Sequence, residues 1–212
     1  MVDNQIRPNK VTSQALIQAL LDVPRERFVP DQARGVAYVD DDVPLGGGRW
    51  LMEPMLFARL AQSADIKPAD VLLDVGGVTG YGPAVLSKLA GTVVALEQDS
   101  GLAKTLGANL DGLSIDNVAV IEGPLAVGCP KQGPFDVILF EGAVHDVPVA
   151  IADQLAEGGR LVAVIDPSLP NGGGAGQAIL MMRRHGALSR RVLFDAATPL
   201  LPGFAPQPTF VF

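Results

Sequence analysis

The stretch Val71–Leu86, VLLDVGGVTGYGPAVL, decides the fold. Its first five residues form a nearly continuous apolar run, the mark of a strand buried on both faces. Glycines at 76, 77, 80 and 82 follow, and a helix-compatible run covers about 80–90. A strand, a glycine-rich turn and a helix in that order open a parallel α/β sheet whose turn faces a nucleotide-like ligand. One residue resists the pattern. Val78 carries a β-branched side chain where such turns normally want none.

Downstream the alternation continues. TVVALE (92–97), VAVIE (118–122), FDVILFE (135–141) and GRLVAVI (159–165) read as strands, with helices at LAKTLGANL (102–110) and about 147–156. This spacing predicts a mostly parallel, doubly wound sheet with right-handed crossovers. Upstream, VTSQALIQALLDVP offers Thr12 or Ser13 as an N-cap, apolar Leu16, Ile17, Leu20 and Leu21, and a stop before Pro24. A loop-rich stretch follows from Arg25 to Trp50, and Pro54 then opens a second helix. Near the end, DPSLPNGGGAGQ (166–177) reads as a flexible loop. AILMMRRHG and SRRVLFDAA, joined through Gly186, read as an antiparallel pair at the sheet edge. The proline-rich tail PLLPGFAPQPTFVF is expected to lie along the body without regular structure. One domain over 1–212 is expected: an N-terminal helical segment (1–68), the α/β core (69–166), then edge strands and tail (167–212).

Composition removes several classes of function. The chain has 16 Lys and Arg against 23 Asp and Glu, a net charge of −7 that repels a polyanion. The two RR pairs, 183–184 and 190–191, sit inside strands and read as a solvated face, so nucleic acid is not an expected partner. The first residues lack the basic and apolar regions of a secretory signal, and no apolar run reaches about 18 residues, so no membrane partner is expected. The cytoplasm is the expected compartment, which suits the one cysteine, Cys129. With no clustered histidine or second cysteine, Cys129 reads as structural and no metal site is expected.

Ligands of an open parallel sheet bind at the carboxyl ends of the strands. Here the first parallel strand ends in Asp74, Val75, Gly76 and Gly77, and the second ends about twenty residues on in Glu97. A carboxylate at that spacing accepts hydrogen bonds from ribose hydroxyls. The third strand ends in Glu122 and Gly123, the fourth in Glu141, Gly142 and Ala143. G-x-G-x-x-G fails from Gly76, where the third residue is Val78, and from Gly80, where the sixth is Val85. A dinucleotide oxidoreductase is therefore the least favoured reading. No Gly-Lys-Ser/Thr exists to make a phosphate loop.

The ordered blocks VPRERFVP, LMEPMLFARL, LLDVGGVTGY, VVALEQD, NVAVIEG, PFDVILFEGA and LAEGGRLVAVI closely resemble the protein-L-isoaspartate O-methyltransferase family over roughly residues 20 to 165. The resemblance implies a class I S-adenosylmethionine-dependent methyltransferase of Rossmann-like fold. Its substrate is the free carboxylate of an isoaspartyl residue in a damaged protein or peptide. That carboxylate is its own nucleophile, so the enzyme supplies alignment and no strong base. By this likeness Asp74, Gly76, Gly77, Thr79, Gly80 and Tyr81 line the cofactor's methionine part. Glu97 holds the ribose, and Glu122 and Gly123 frame the adenine. Three positions depart from the family pattern. Val78 replaces a glycine, Pro124 replaces an acid, and Met52 stands in LMEP where the family has a Ser or Thr beside the reacting carboxylate. A methyltransferase of altered or reduced activity is expected, with a non-catalytic binding or interaction module as the alternative. The oligomeric state is left open.

Overall fold

Two short strands carry the N-terminal segment to the sheet. β1 (Val43–Gly46) and β2 (Arg49–Leu51) pair antiparallel in a stretch that the sequence reads as loop. The turn between them needs its glycines, because Gly46, Gly47 and Gly48 all hold φ between 59° and 90°. A computed structural model of the chain describes residues 1–167 and 176–205. Most of the expected loop at 166–177, and the tail beyond 205, lie outside the described residues.

The main sheet has seven strands in the order β5-β4-β3-β6-β7-β8-β9. β3 (Val71–Val75) pairs in parallel with β4 (Thr92–Glu97) on one side and with β6 (Phe135–Val144) on the other. β5 (Val118–Glu122) and β7 (Leu155–Ile165) extend the parallel array. β8 (Gly176–Arg184) and β9 (Ala187–Ala196) close it antiparallel, as the sequence predicts. His185 and Gly186 both take positive φ, the geometry of a two-residue hairpin turn.

Helices α1 (Gln14–Asp22), α2 (Pro54–Ser63), α3 (Tyr81–Leu86) and α4 (Ser100–Asp111) are joined by one-turn α5 (Val149–Ala152). Ser13 is the cap of α1, its hydroxyl accepting from Leu16 N–H at 3.4 Å. The helix expected over 147–156 is cut to a single turn because β7 already begins at Leu155. The N-terminal segment is also less helical than expected, with short turns at Val2–Ile6, Arg25–Phe28 and Asp31–Val36 beside α1 and α2.

Alternate residues of each strand enter different cores, as the two-residue period of a strand requires. Leu72, Val93, Val137 and Val162 pack beneath residues of α1 to α4, whereas Leu73, Val94, Ile138 and Leu161 meet Leu125, Ile151 and Phe204. The second face is therefore covered by short segments and one end of the chain. The order in which successive strands are added reverses between β3 and β6, which places the sheet's ligand crevice at the carboxyl ends of those two parallel strands.

One arginine ties the far end of this frame together. Arg160 on β7 donates to Asp70 at 2.6 Å, to the Ala64 and Asp65 carbonyls that end α2, and to the Asp136 carbonyl on β6. Both partners of the ion pair are largely buried. Arg160→Met is expected to destabilise the fold by about 3–5 kcal/mol, because it strands the Asp70 charge and three carbonyls. Urea unfolding of the two proteins measures this, and a difference below about 1 kcal/mol contradicts it.

Candidate cofactor cleft

The turn after β3 is a strained one. Gly76 (φ 90°) and Gly80 (φ 98°) take left-handed conformations, and so does Val78 (φ 41°). Gly77 does not relieve it. A β-branched residue held there costs about 1–3 kcal/mol and persists only where its surroundings fix it. Two observations show what fixes it. Val78 N–H donates to Glu97 Oε2 at 3.1 Å, and its side chain is buried in the cluster under α1–α4. Its methyls are core atoms.

Glu97, at the end of β4, is fully buried and fully engaged. Its Oε1 accepts from Asp99 N–H at 2.9 Å and pairs with Arg49 Nη1, while Oε2 takes the Val78 N–H. Arg49 Nη2 also donates to the Gly76 carbonyl at 3.3 Å. The glycine hairpin between β1 and β2 aims Arg49 at this point, with only 6% of its side chain exposed. Nothing in the local sequence marks Arg49, which lies 48 residues from its partner.

A second group enters from the other end of the chain. Residues after β9 return to β6, where Ala143 N–H donates to the Pro199 carbonyl and Leu201 N–H to the Ala143 carbonyl. This seats the Leu201 side chain over the crevice. A Cβ placed on Gly76 would stand 2.9 Å from a Leu201 methyl, and one on Gly142 2.7 Å from Leu201 Cγ. Only glycines at the ends of β3 and β6 admit it. The chamber bounded by Arg49, Trp50, Glu141 and Thr198 to Leu201 has a volume of about 10 Å³, room for one water.

Behind these groups lies a buried acid pair. Asp74 and Glu141 face each other, both deeply buried, and no donor reaches either Asp74 oxygen or Glu141 Oε1 among the described residues. Two such carboxyls cannot both ionise. Burial and then Glu141 hold Asp74 well above the ordinary carboxyl range, and burial lifts Glu141 to about 7. Nearby, Arg25 is completely buried, donating to the Ala37 carbonyl and, at 2.6 Å, to the Met52 carbonyl. Its guanidinium lies 4.7 Å from the centre of the Tyr81 ring, which packs edge-on against Phe28.

The residues singled out from sequence therefore divide. Asp74, Gly76 and Glu97 meet at the crevice. Thr79 and Tyr81 turn to the N-terminal segment instead: Thr79 Oγ1 donates to the Phe28 carbonyl, and Tyr81 joins the aromatic core. Gly77 lies against Asp74, Gly80 packs on Leu106, and Gly123 N–H donates to the Glu97 carbonyl. Glu122 is exposed at the sheet edge. Met52 is buried in the core, and its neighbour Glu53, at the start of α2, is lifted to about 7 by burial and then by Asp42, Asp40 and Asp41. Glu141 was legible as a strand end, but its pairing with Asp74 was not.

Comparison with known proteins supplies the context. The family described as protein-L-isoaspartate(D-aspartate) O-methyltransferase matches residues 1–188. A protein-L-isoaspartate O-methyltransferase of Koribacter versatilis is 37% identical over 210 residues, 97% of this chain and 92% of the relative. One of Roseiflexus castenholzii is 35% identical over 207 residues, with 97% and 92% covered. A solved protein-L-isoaspartate O-methyltransferase superposes with a TM-score of 0.83 at 25% identity, over 97% of this chain and 67% of that one. A Plasmodium falciparum structure in complex with S-adenosyl-L-homocysteine shares the fold, with a TM-score of 0.75 at 21% identity over 91% and 92% of the two chains.

The acid pair makes stability depend on pH. Native Glu141 holds its proton to about pH 7, whereas the unfolded chain releases it near 4.5. The native state binds more protons across that window, so this stabilisation is complete below about pH 4.5 and fades as pH rises to 7. Glu141→Gln is expected to flatten part of the slope and to raise stability at pH 8 by at least about 1 kcal/mol, or 2–4 °C in Tm. Thermal melts from pH 4.5 to 8 test this, and an unchanged slope in the variant contradicts it.

Proposed function

We propose, since the chain belongs to the protein-L-isoaspartate O-methyltransferase family, that it is an S-adenosylmethionine-dependent methyltransferase of that type with strongly reduced turnover on isoaspartyl carboxylates. The family's methyl donor is S-adenosylmethionine. In its closed arrangement the crevice does not fit that group, because Glu97 has both oxygens engaged and Leu201 covers Gly76 and Gly142. Sites for ligands of this size commonly need about 300–1,000 Å³.

The single observation that carries reduced turnover is the state of position 52. The isoaspartyl carboxylate needs a donor to align it, and a thioether donates nothing. Met52 is a buried core residue whose carbonyl is held by Arg25. Beside it Glu53 adds negative charge once it ionises near pH 7. Like charge disfavours an anionic substrate there.

A protein or peptide is the proposed substrate class, and repair of damaged protein the proposed role. The acidic surface and the buried Cys129, whose thiol burial lifts to about 11, suit the cytoplasm. No helix among the described residues is long and apolar enough to cross a membrane. The N-terminal segment supports a single domain, since α1 and α2 share one core with β3 and β6. The neutralised, closed crevice also favours a second reading, a non-catalytic relative retained as a binding module.

The test is transfer of labelled methyl from S-adenosylmethionine to an isoaspartyl peptide, with the aspartyl peptide as control. No transfer above the control is expected from the unmodified protein at pH 7.5, and Met52→Ser alone is expected to stay nearly inactive. Robust turnover by the unmodified protein overturns the reduced-activity reading.

A further inference from the structure

We infer that Arg49 and the segment Pro199–Leu201 form an internal latch, so that any ligand of the crevice must first displace this chain's own side chains. The inference rests on the reading above only for the identity of that ligand as adenosyl. The latch itself stands on geometry.

Its two parts come from opposite ends of the chain and meet at one glycine. Measured from a Cβ position on Gly76, Leu201 Cδ2 lies at 2.9 Å and Arg49 Nη2 at 3.4 Å. Arg49 pairs with Oε1 of Glu97, and Leu201 occupies the space between Gly76 after β3 and Gly142 on β6. Neither contact is a loose surface contact. The Arg49–Glu97 pair is buried on both sides, and Pro199 and Leu201 are fixed to Ala143 by backbone hydrogen bonds at 2.9 and 2.8 Å.

Charge explains why the closed state is self-sufficient. Asp74, Glu97 and Glu141 are three buried carboxyls, facing the buried guanidiniums of Arg25 and Arg49. With one proton kept by the Asp74–Glu141 pair, the cluster is neutral with no ligand present. Removing Arg49 leaves an excess negative charge in the interior, which is costly. The latch also reaches the other end of the site. Thr198 donates to Asp42 Oδ1 at 3.2 Å, the same oxygen that accepts Glu53 N–H at 2.9 Å. Opening the crevice therefore loosens the start of α2 next to Met52.

A ligand that binds only the opened state has its apparent Kd raised by the reciprocal of that state's population. Two variants weaken the latch differently: Leu201→Ala removes the plug without touching charge, and Arg49→Gln frees Glu97. Hydrogen exchange at the Ala143, Leu201 and Val78 amides reads opening without any ligand, with the Leu180 amide on β8 as the control for global unfolding. Calorimetric titration with S-adenosyl-L-homocysteine reads binding separately. At least tenfold faster exchange at the three amides in both variants is expected, with Leu180 unchanged, and at least tenfold tighter binding than the parent. Unchanged exchange in both folded variants overturns the latch whatever the ligand does. Tight binding by the parent, equal to that of both variants, overturns it too. Faster exchange with no binding by any of the three proteins supports the latch and sinks the adenosyl reading instead.

Discussion

The buried ion pair between Arg49 and Glu97 is the constraint on which the rest of the site depends. Glu97 ends β4 without exposed surface, so its charge must be met from within the protein. Two backbone N–H groups meet part of it, and one of these belongs to Val78. The strained φ of Val78 thus has a physical reason, because it turns that N–H toward the carboxylate. Arg49 meets the remainder and, through the Gly76 carbonyl, fixes the first glycine of the same turn. One carboxylate organises the turn after β3, the hairpin β1–β2 and the end of β4 together.

The second acid pair extends the argument. Asp74 on β3 and Glu141 on β6 lie on adjacent parallel strands, with Glu141 two residues beyond Leu139, the partner of Asp74, so the register brings the two carboxyls near each other. Neither oxygen of Asp74, nor Glu141 Oε1, finds a donor among the described residues. A glycine is required where the helix begins beside them, since a Cβ on Gly82 would stand 1.6 Å from Glu141 Oε1. The glycines of this region thus admit side chains of the protein itself at 76, 82 and 142. A glycine-rich turn is usually read as room for a ligand. Here part of that room is taken.

How much of this was legible follows from the range of each interaction. The strand-turn-helix at Val71–Leu86, the Ser13 cap, the proline start of α2 and the β8–β9 hairpin are local, and the sequence predicts each of them. The acid at Glu97 was legible from its spacing to the turn. Its partner was not, because Arg49 lies in a segment that reads as loop and reaches Glu97 only through three left-handed glycines. Leu201 was equally hidden, sitting in a proline-rich tail that lacks a strand pattern but pairs briefly with β6 at Ala143. The one-turn length of α5 escaped for another reason. Nothing local separates a helix that ends at Ala152 from one that continues, and only the start of β7 sets the limit.

The departures from the family pattern are not independent of one another. Arg25 holds the Met52 carbonyl, lies over Tyr81 and helps balance Glu141. Asp42 caps the backbone at Glu53 and holds Thr198, whose neighbours carry Leu201 to Gly76. Groups that share partners in this way couple by about 0.5–3 kcal/mol, so a hydroxyl restored at position 52 enters a site whose far end is still closed. On the reading proposed above the reverse also holds, since an opened crevice still has the thioether of Met52 where that reading places the substrate carboxylate. Polar contacts thus join the two ends, from Arg25 at Met52 to Asp42, Thr198 and the segment that carries Leu201 to Gly76.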